Sequence, residues 1–334
     1  MQVLKKPVIA SRVKTAGRLI LGLLLIAVLL YYVDWRNTFR IILNIDAMLA
    51  LLALTILPIN MWISTWKWLI LLNAHDLRLP WNVLLRVYWI GAFFSNYFPS
   101  NIGGDIVRIL LLRHLGRSAE VAASVVLERV TGLLVLLILA AVGLAVRPEY
   151  FDPRGSRVIL WLVVVGGIAT LVSLILLPER LNGWLSSLRA NRLSLIRTVV
   201  NPIKKINSAI AFYQTKMKEV AFTIILSLPF YGIITFFQYF LLLSLDAEVA
   251  LWQVALIAPV VLLVALVPIS INGLGIVEGA FVLFYTNAGV LPEAALAAAL
   301  LRRVFSLLVS LVGGIYWATT PRQARADLAE VQSR

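Results

Sequence analysis

Three acids and four arginines fall in or beside apolar runs where a lone charge is costly. Glu128 and Arg129 lie nine and ten residues into the run Ala119 to Val146, and Arg302 and Arg303 eight and nine into Ala294 to Thr319. At about 1.5 Å of helical rise per residue that is roughly 12 to 15 Å, near the centre of a ~30 Å hydrocarbon layer. A charge at that depth costs at least about 2.5 to 3.5 kcal/mol and persists only when paired or facing a cavity. Asp105, Glu128 and Glu278 can be set against Arg108, Arg129, Arg302 and Arg303, which leaves one positive charge in excess. An anionic group such as a lipid phosphate would complete the balance, and the planar fork of arginine suits it.

The same residues are tied to two turns of similar composition. One reads Pro99-Ser-Asn-Ile-Gly-Gly-Asp-Ile-Val-Arg108 and the other Pro268-Ile-Ser-Ile-Asn-Gly-Leu-Gly-Ile-Val-Glu278. Arg129 follows Asp105 by 24 residues, and Arg302 follows Glu278 by the same number. Asn101, Gly103, Gly104, Asn272, Gly273 and Gly275 therefore join the charged set as candidate binding residues, because backbone N–H groups at a broken helix end can hold an anion where no side chain blocks the approach. The alternative is purely structural: buried salt bridges and close-packing glycines also hold membrane helices together.

The elements that position these residues are apolar helices. Of 334 residues 61% are hydrophobic and only 14% charged, with a mean hydropathy of +0.93, which excludes a soluble globule. Cysteine is absent, which removes disulfides, thiolate catalysis and zinc-thiolate or iron-sulfur sites. The formal charge of +14 sits mainly in loops between the runs, so topology explains it better than nucleic acid does. Full spans are expected at Gly17 to Val33, Ala47 to Leu72, Ala119 to Val146, Val158 to Leu177, Val220 to Leu243 and Ala294 to Thr319. The runs Trp81 to Phe98, Trp252 to Val267 and Leu274 to Tyr285 are short and abut Pro/Gly/Asn-rich stretches, as helices that turn around inside a membrane would.

Loop charge favours that division. Basic loops belong in the cytoplasm, and a full crossing by Trp81 to Phe98 would put Arg108, Arg113, His114 and Arg117 on the wrong face. A re-entrant hairpin over about 81 to 117 from the cytoplasmic side removes the conflict, and about 252 to 285 reads as a second hairpin entered from outside. The expected fold is all-α: one polytopic membrane domain over 1–334, with six spans and two re-entrant hairpins in an inverted repeat, or eight spans. The halves cover about 17–177 and 220–319, both termini are cytoplasmic, and a tail runs over 320–334. The balanced loop from Asp34 to Asp46 suits the outside. Between the halves, about 178–219 is strongly basic, and Ile196, Val199, Ile203, Ile206, Ile210, Tyr213 and Met217 form one apolar face of a helix with Asn201-Pro202 at its start. That helix would rest on anionic lipid headgroups or serve as a cytosolic connector.

Other features have plainer explanations. Lys67 among Trp62, Trp66 and Trp68 reads as a snorkelling residue of the interfacial belt. His75 and His114 are isolated and make no metal site. Gly166-Gly167 and Gly313-Gly314 read as packing positions. No catalytic triad, phosphate loop or cofactor motif is present.

Taken together, Asn96-Tyr-Phe-Pro99, Asn101-Ile-Gly-Gly-Asp105, Arg108, Glu128-Arg129, Gly273-Leu-Gly275, Glu278 and Arg302-Arg303 resemble the flippase-like membrane family related to the transmembrane region of lysylphosphatidylglycerol synthase. The resemblance covers nearly the whole chain. It implies a multi-pass protein of the cytoplasmic membrane that moves an anionic phospholipid or a lipid-linked intermediate between leaflets. The soluble aminoacyl-transfer domain of bifunctional members has no counterpart in the 334 residues, so an enzyme is not expected and only the translocating part carries over. A membrane-embedded transferase or an accessory subunit of a glycolipid pathway is the alternative, and a homodimer is compatible with either.

Overall fold

The two aspartates of the loop from Asp34 to Asp46 begin helices. Asp34 Oδ1 accepts from the N–H groups of Arg36 and Asn37 at 3.0 and 3.2 Å, and Asp46 Oδ1 from those of Met48 and Leu49 at 2.8 and 3.0 Å, each satisfying donors that the first helical turn leaves open. The computed structural model describes residues 6–98, 103–151, 156–176, 205–267 and 270–320. Among them are eleven α-helices and no strand. In chain order they are α1 (Lys6–Tyr32), α2 (Trp35–Leu43), α3 (Ala47–Ala74), α4 (Trp81–Tyr97), α5 (Gly103–Leu111), α6 (Ser118–Val146), α7 (Ser156–Leu176), α8 (Met217–Leu243), α9 (Leu251–Ala265), α10 (Ile276–Asn287) and α11 (Pro292–Ala318). Residues 205–212 are also helical and lead into α8 through a 3₁₀ turn at Tyr213–Lys216.

Five helical stretches are long and apolar enough to cross a membrane: Ala47–Ala74, Ser118–Val146, Val158–Leu176, Lys205–Leu243 and Pro292–Ala318. A sixth forms if α1 and α2 are one span, but they meet at 91°. The segment read as an outer loop is thus largely the helix α2, and it packs against α11. The expected short runs are helices too brief to cross ~30 Å of hydrocarbon alone: α4 and α9 have 17 and 15 residues, about 22 to 26 Å, and α5 and α10 have 9 and 12. The run expected at Leu274 to Tyr285 begins at Ile276 instead, because the chain needs Asn272, Gly273 and Gly275 at φ of 49°, 70° and 80° to make the turn. Large apolar side chains such as Val158, Leu162, Phe222, Ile225 and Ile315 remain exposed on the helix exteriors, as a lipid-facing surface requires. This is a multi-pass membrane protein.

Helix boundaries recur along the chain. α3 starts at Ala47 and α8 at Met217; α4 at Trp81 and α9 at Leu251; α5 at Gly103 and α10 at Ile276; α6 at Ser118 and α11 at Pro292. Every offset lies between 170 and 174 residues. Pro58 falls inside α3 and Pro229 inside α8. Both helices end alike: Asp76 and Asp246 adopt φ 57°, and the next N–H returns to a carbonyl five residues back, Leu77 to Leu72 at 3.0 Å and Ala247 to Leu242 at 3.2 Å, a Schellman-type closure.

Packing follows the same pattern. α3 lies along α8, α4 along α11 and α6 along α9. Close approach is allowed by matching glycines: a Cβ on Gly143 of α6 would meet the Leu256 carbonyl of α9, and one on Gly313 of α11 would overlap the Trp89 carbonyl of α4. Gly167 and Gly314 also pack, against Leu137 and the Phe93 ring, while Gly166 faces open space.

Candidate functional site

Asp105, in the first turn of α5, and Glu128-Arg129, one-third of the way along α6, build the first charged cluster. Both oxygens of Asp105 engage Arg129, Oδ2 with Nε at 2.9 Å and Oδ1 with Nη2 at 3.1 Å. Arg108 lies one turn beyond Asp105 and reaches Glu128 Oε2 at 2.5 Å and Asp105 Oδ1 at 3.4 Å. Its guanidinium is held between the faces of Trp68 and Tyr88, 4.1 and 4.2 Å from their centroids, and Arg108 is 3% exposed. Tyr88 Oη donates to Glu128 Oε1 at 2.8 Å, and Trp68 Nε1 to Ser124 Oγ at 2.9 Å. Charge, aromatic faces and hydrogen bonds thus fix Arg108 rigidly, whereas the Arg129 side chain is 57% exposed.

The second cluster is simpler. Glu278, 0% exposed, accepts from Arg303 Nε at 2.8 Å and from the Gly275 N–H at 2.6 Å, so the α10 N-terminus is closed by its own carboxylate. Arg303 Nη1 donates to the Asn272 carbonyl at 3.3 Å. Asn272 Nδ2 in turn donates to the carbonyls of Asn96 and Phe98, at 3.1 and 3.4 Å, which joins the α9–α10 turn to the end of α4.

The thirteen expected site residues separate accordingly. Asp105, Arg108, Glu128 and Arg129 come together, as do Asn272, Gly275, Glu278 and Arg303; no ion pair among the described residues joins the two groups. Asn101 lies outside the described residues. The sequence sets the acids against the four arginines without individual pairing; the partner of Glu278 is Arg303, not Arg302 at the 24-residue spacing. Arg302 makes no ion pair or hydrogen bond among the described residues, and its Nε is buried without a partner. The glycines serve packing: a Cβ on Gly104 would overlap the Gly91 carbonyl and Ser95 Oγ, and one on Gly275 would meet Leu25 and the Gly22 carbonyl of α1. Gly103 opens α5 and Gly273 supplies a left-handed turn position.

Lys67 is the correction with most chemical weight. It is 4% exposed, not snorkelling, and lines a cavity of about 200 Å³ with Glu128, Arg129, Tyr88, Phe230 and Tyr231. Asn60, Ser64 and Lys67, all buried, follow one another at four- and three-residue steps on one face of α3, and that polar stripe was the available signal. Part of the expected amphipathic face of the basic segment is covered by protein: Ile210 and Tyr213 pack with Leu71, Leu127 and Ile175, and Tyr213 Oη donates to the Leu71 carbonyl at 2.8 Å, while Met217 stays exposed. Ile196 to Ile203 lie outside the described residues.

The model of the lysylphosphatidylglycerol synthase TM region matches residues 18–314. A UPF0104 membrane protein of Pyrococcus horikoshii is 22% identical over 325 residues, covering 89% of this chain and 94% of the relative. A UPF0104 membrane protein of Methanothermobacter thermautotrophicus is 22% identical over 318 residues, covering 90% and 94%.

Proposed function

The chain belongs to the lysylphosphatidylglycerol synthase TM region family, and from that premise we propose that it moves a lipid or lipid-linked intermediate with an anionic headgroup across the cytoplasmic membrane. The observation that carries this reading is the surplus of cations deep within the spans. Arg302 makes no ion pair or hydrogen bond among the described residues and its Nε is buried, and Arg129, although paired with Asp105, leaves more than half its side chain accessible. Membrane interiors keep such residues for a cavity or a substrate path.

In this reading α3–α6 and α8–α11 are two repeats of opposite orientation, each made of a span, a re-entrant hairpin and a second span, and rocking of one against the other alternates access to the charged clusters. The recurring boundaries and the matching α4–α11 and α6–α9 contacts support it. Arg129, Arg302 and Arg303 meet the headgroup; Asp105, Glu128 and Glu278 hold the arginines in place or carry coupling protons. Basic loops put both termini in the cytoplasm.

The test is reconstitution in vesicles with fluorescent lipids, comparing wild type with Arg129→Ala and Arg302→Ala. Translocation by wild type and its loss in both variants is the expected result. Folded variants that translocate at the wild-type rate refute the assignment.

A further inference from the structure

Lys67 is a buried cation that the ion pairs leave over. Its ammonium makes no hydrogen bond or ion pair among the described residues and lies 5.6 Å from the centroid of the Phe230 ring. The nearby acids are already committed. Glu128 gives one oxygen to Tyr88 and the other to Arg108, and both oxygens of Asp105 are bound by Arg129. Even the nearby Gly132 carbonyl accepts from Tyr231 Oη at 3.0 Å. Yet the space around Nζ is kept open, since a Cβ at Gly132 would stand 3.5 Å from it. Lys67 is 4% exposed and the carboxylate that acts on its charge, Glu128, is already shared between Tyr88 and Arg108, so the cavity beside its ammonium suits an anion.

Charge and volume narrow that anion. Lys67, Arg108 and Arg129 face Asp105 and Glu128, a local surplus of one positive charge that a monoanion cancels and a diphosphate would overrun. The cavity of about 200 Å³ admits a phosphate group and opens outward, so the bulk of a lipid would lie outside it. Phe230, Leu133, Leu136 and Leu266 supply an apolar wall for the adjoining glycerol and acyl carbons. We infer that Lys67 and the unpaired Nη1 edge of Arg129 form a subsite for the monoanionic phosphodiester of a phospholipid with a small headgroup. The inference rests on reading this face as a headgroup path, and it specifies the substrate class that the path takes.

Equilibrium binding to the purified full chain in neutral detergent micelles tests it, with phosphatidylglycerol, phosphatidylcholine and inorganic phosphate as probes. Wild type binds phosphatidylglycerol tightest. Lys67→Met weakens that binding by about thirtyfold or more, the scale of losing one partner of a desolvated charge pair, while Lys67→Arg and the distant Lys205→Met retain it. Gly132→Ala, which fills the space next to Nζ, weakens it too and serves if Lys67→Met does not fold. Unchanged affinity in Lys67→Met or Gly132→Ala, equal binding of both lipids, or binding of inorganic phosphate alone overturns the subsite. Translocation is read separately in vesicles of the same lipids. Lys67-dependent binding without movement refutes the transport reading and leaves the subsite, whereas movement with Lys67-independent binding refutes the subsite and leaves transport.

Discussion

Removing the guanidinium of Arg108 isolates a carboxylate inside the bundle. In Arg108→Met, Glu128 keeps the Tyr88 hydroxyl at 2.8 Å and loses its ion-pair partner, while Asp105 keeps Arg129. Breaking a buried pair by deleting one member costs about 3 to 5 kcal/mol, because the remaining charge is uncompensated. The stacking of Arg108 between Trp68 and Tyr88 adds a cation–π loss of up to about 2 kcal/mol per desolvated contact. Glu128→Gln alone is also destabilising, since Arg108 then has only Asp105 at 3.4 Å. The double variant Arg108→Met/Glu128→Gln removes both charges of the pair together, so it is expected to recover about 3 kcal/mol relative to the sum of the single variants. Reversible unfolding in mixed micelles on the four proteins reads this coupling directly. If the double variant equals the sum within about 0.5 kcal/mol, the two residues do not act as a buried pair and Arg108 has to be returned to the set of free anion-binding groups.

Gly313→Ala drives a methyl into the Trp89 carbonyl and is expected to lower stability by about 1 to 3 kcal/mol in a thermal melt, whereas Gly166→Ala, with nothing within 4 Å, is neutral or slightly stabilising. Asn272→Ala loses both bonds to the end of α4 and strains a residue at φ 49°, a cost of about 1 to 2 kcal/mol for the left-handed backbone alone; Asn272→Gly relieves the strain but not the lost bonds, so its melting temperature lies between Ala and wild type. His75, just beyond the end of α3, is pulled below the ordinary imidazole pKa mainly by burial, an effect that the Ala209 carbonyl, Glu120 and Asp76 oppose and Arg117 assists. Its contribution to stability is therefore present above the unfolded value of about 6.5 and lost as pH falls through the depressed folded value, at no more than about 1.4 kcal/mol per pH unit. In His75→Phe, which keeps the stacking on Phe212, the stability curve is flatter over that acid range; an unchanged slope contradicts the assignment.

Much of the architecture was legible because lipid imposes one strong rule, that backbone polar groups be satisfied inside each segment. Spans such as α6 and α7 follow from unbroken apolar runs, and the positions of the two turns from proline, asparagine and glycine. The helix α2 was not legible: nine residues with Arg36 and Arg40, preceded by Asp34, have the composition of a loop, and the cap at Asp34 and the packing on α11 support them as a helix. Which of Arg302 and Arg303 pairs with Glu278 was not legible, because spacing alone leaves both available. α5 and α10 begin 173 residues apart but α6 and α11 begin 174 apart, so the mate shifts by one position. Lys67 was masked by its neighbours. Trp62 and Trp66 are exposed, but Trp68 is fully buried, so the tryptophans mark two faces of α3 rather than one interfacial ring.

The distribution of the polar bonds decides which motions are cheap. Every ion pair of the site closes within one group of helices: Asp105 with Arg129 and Arg108 with Glu128 in α5–α6, Glu278 with Arg303 in α10–α11. Across the boundary between the groups run neutral hydrogen bonds, from the amide of Asn272 to Asn96 and Phe98, from the amide of Asn96 to the Ser306 carbonyl and from the hydroxyl of Tyr97 to the Leu307 carbonyl, each with a net strength of about 0.5 to 1.5 kcal/mol, together with two bonds from the Arg86 guanidinium to the Tyr316 carbonyl and the Thr319 hydroxyl at 3.3 and 2.8 Å. The proposed rocking motion would therefore break hydrogen bonds but no ion pair of the site, because each group carries its carboxylates already neutralised.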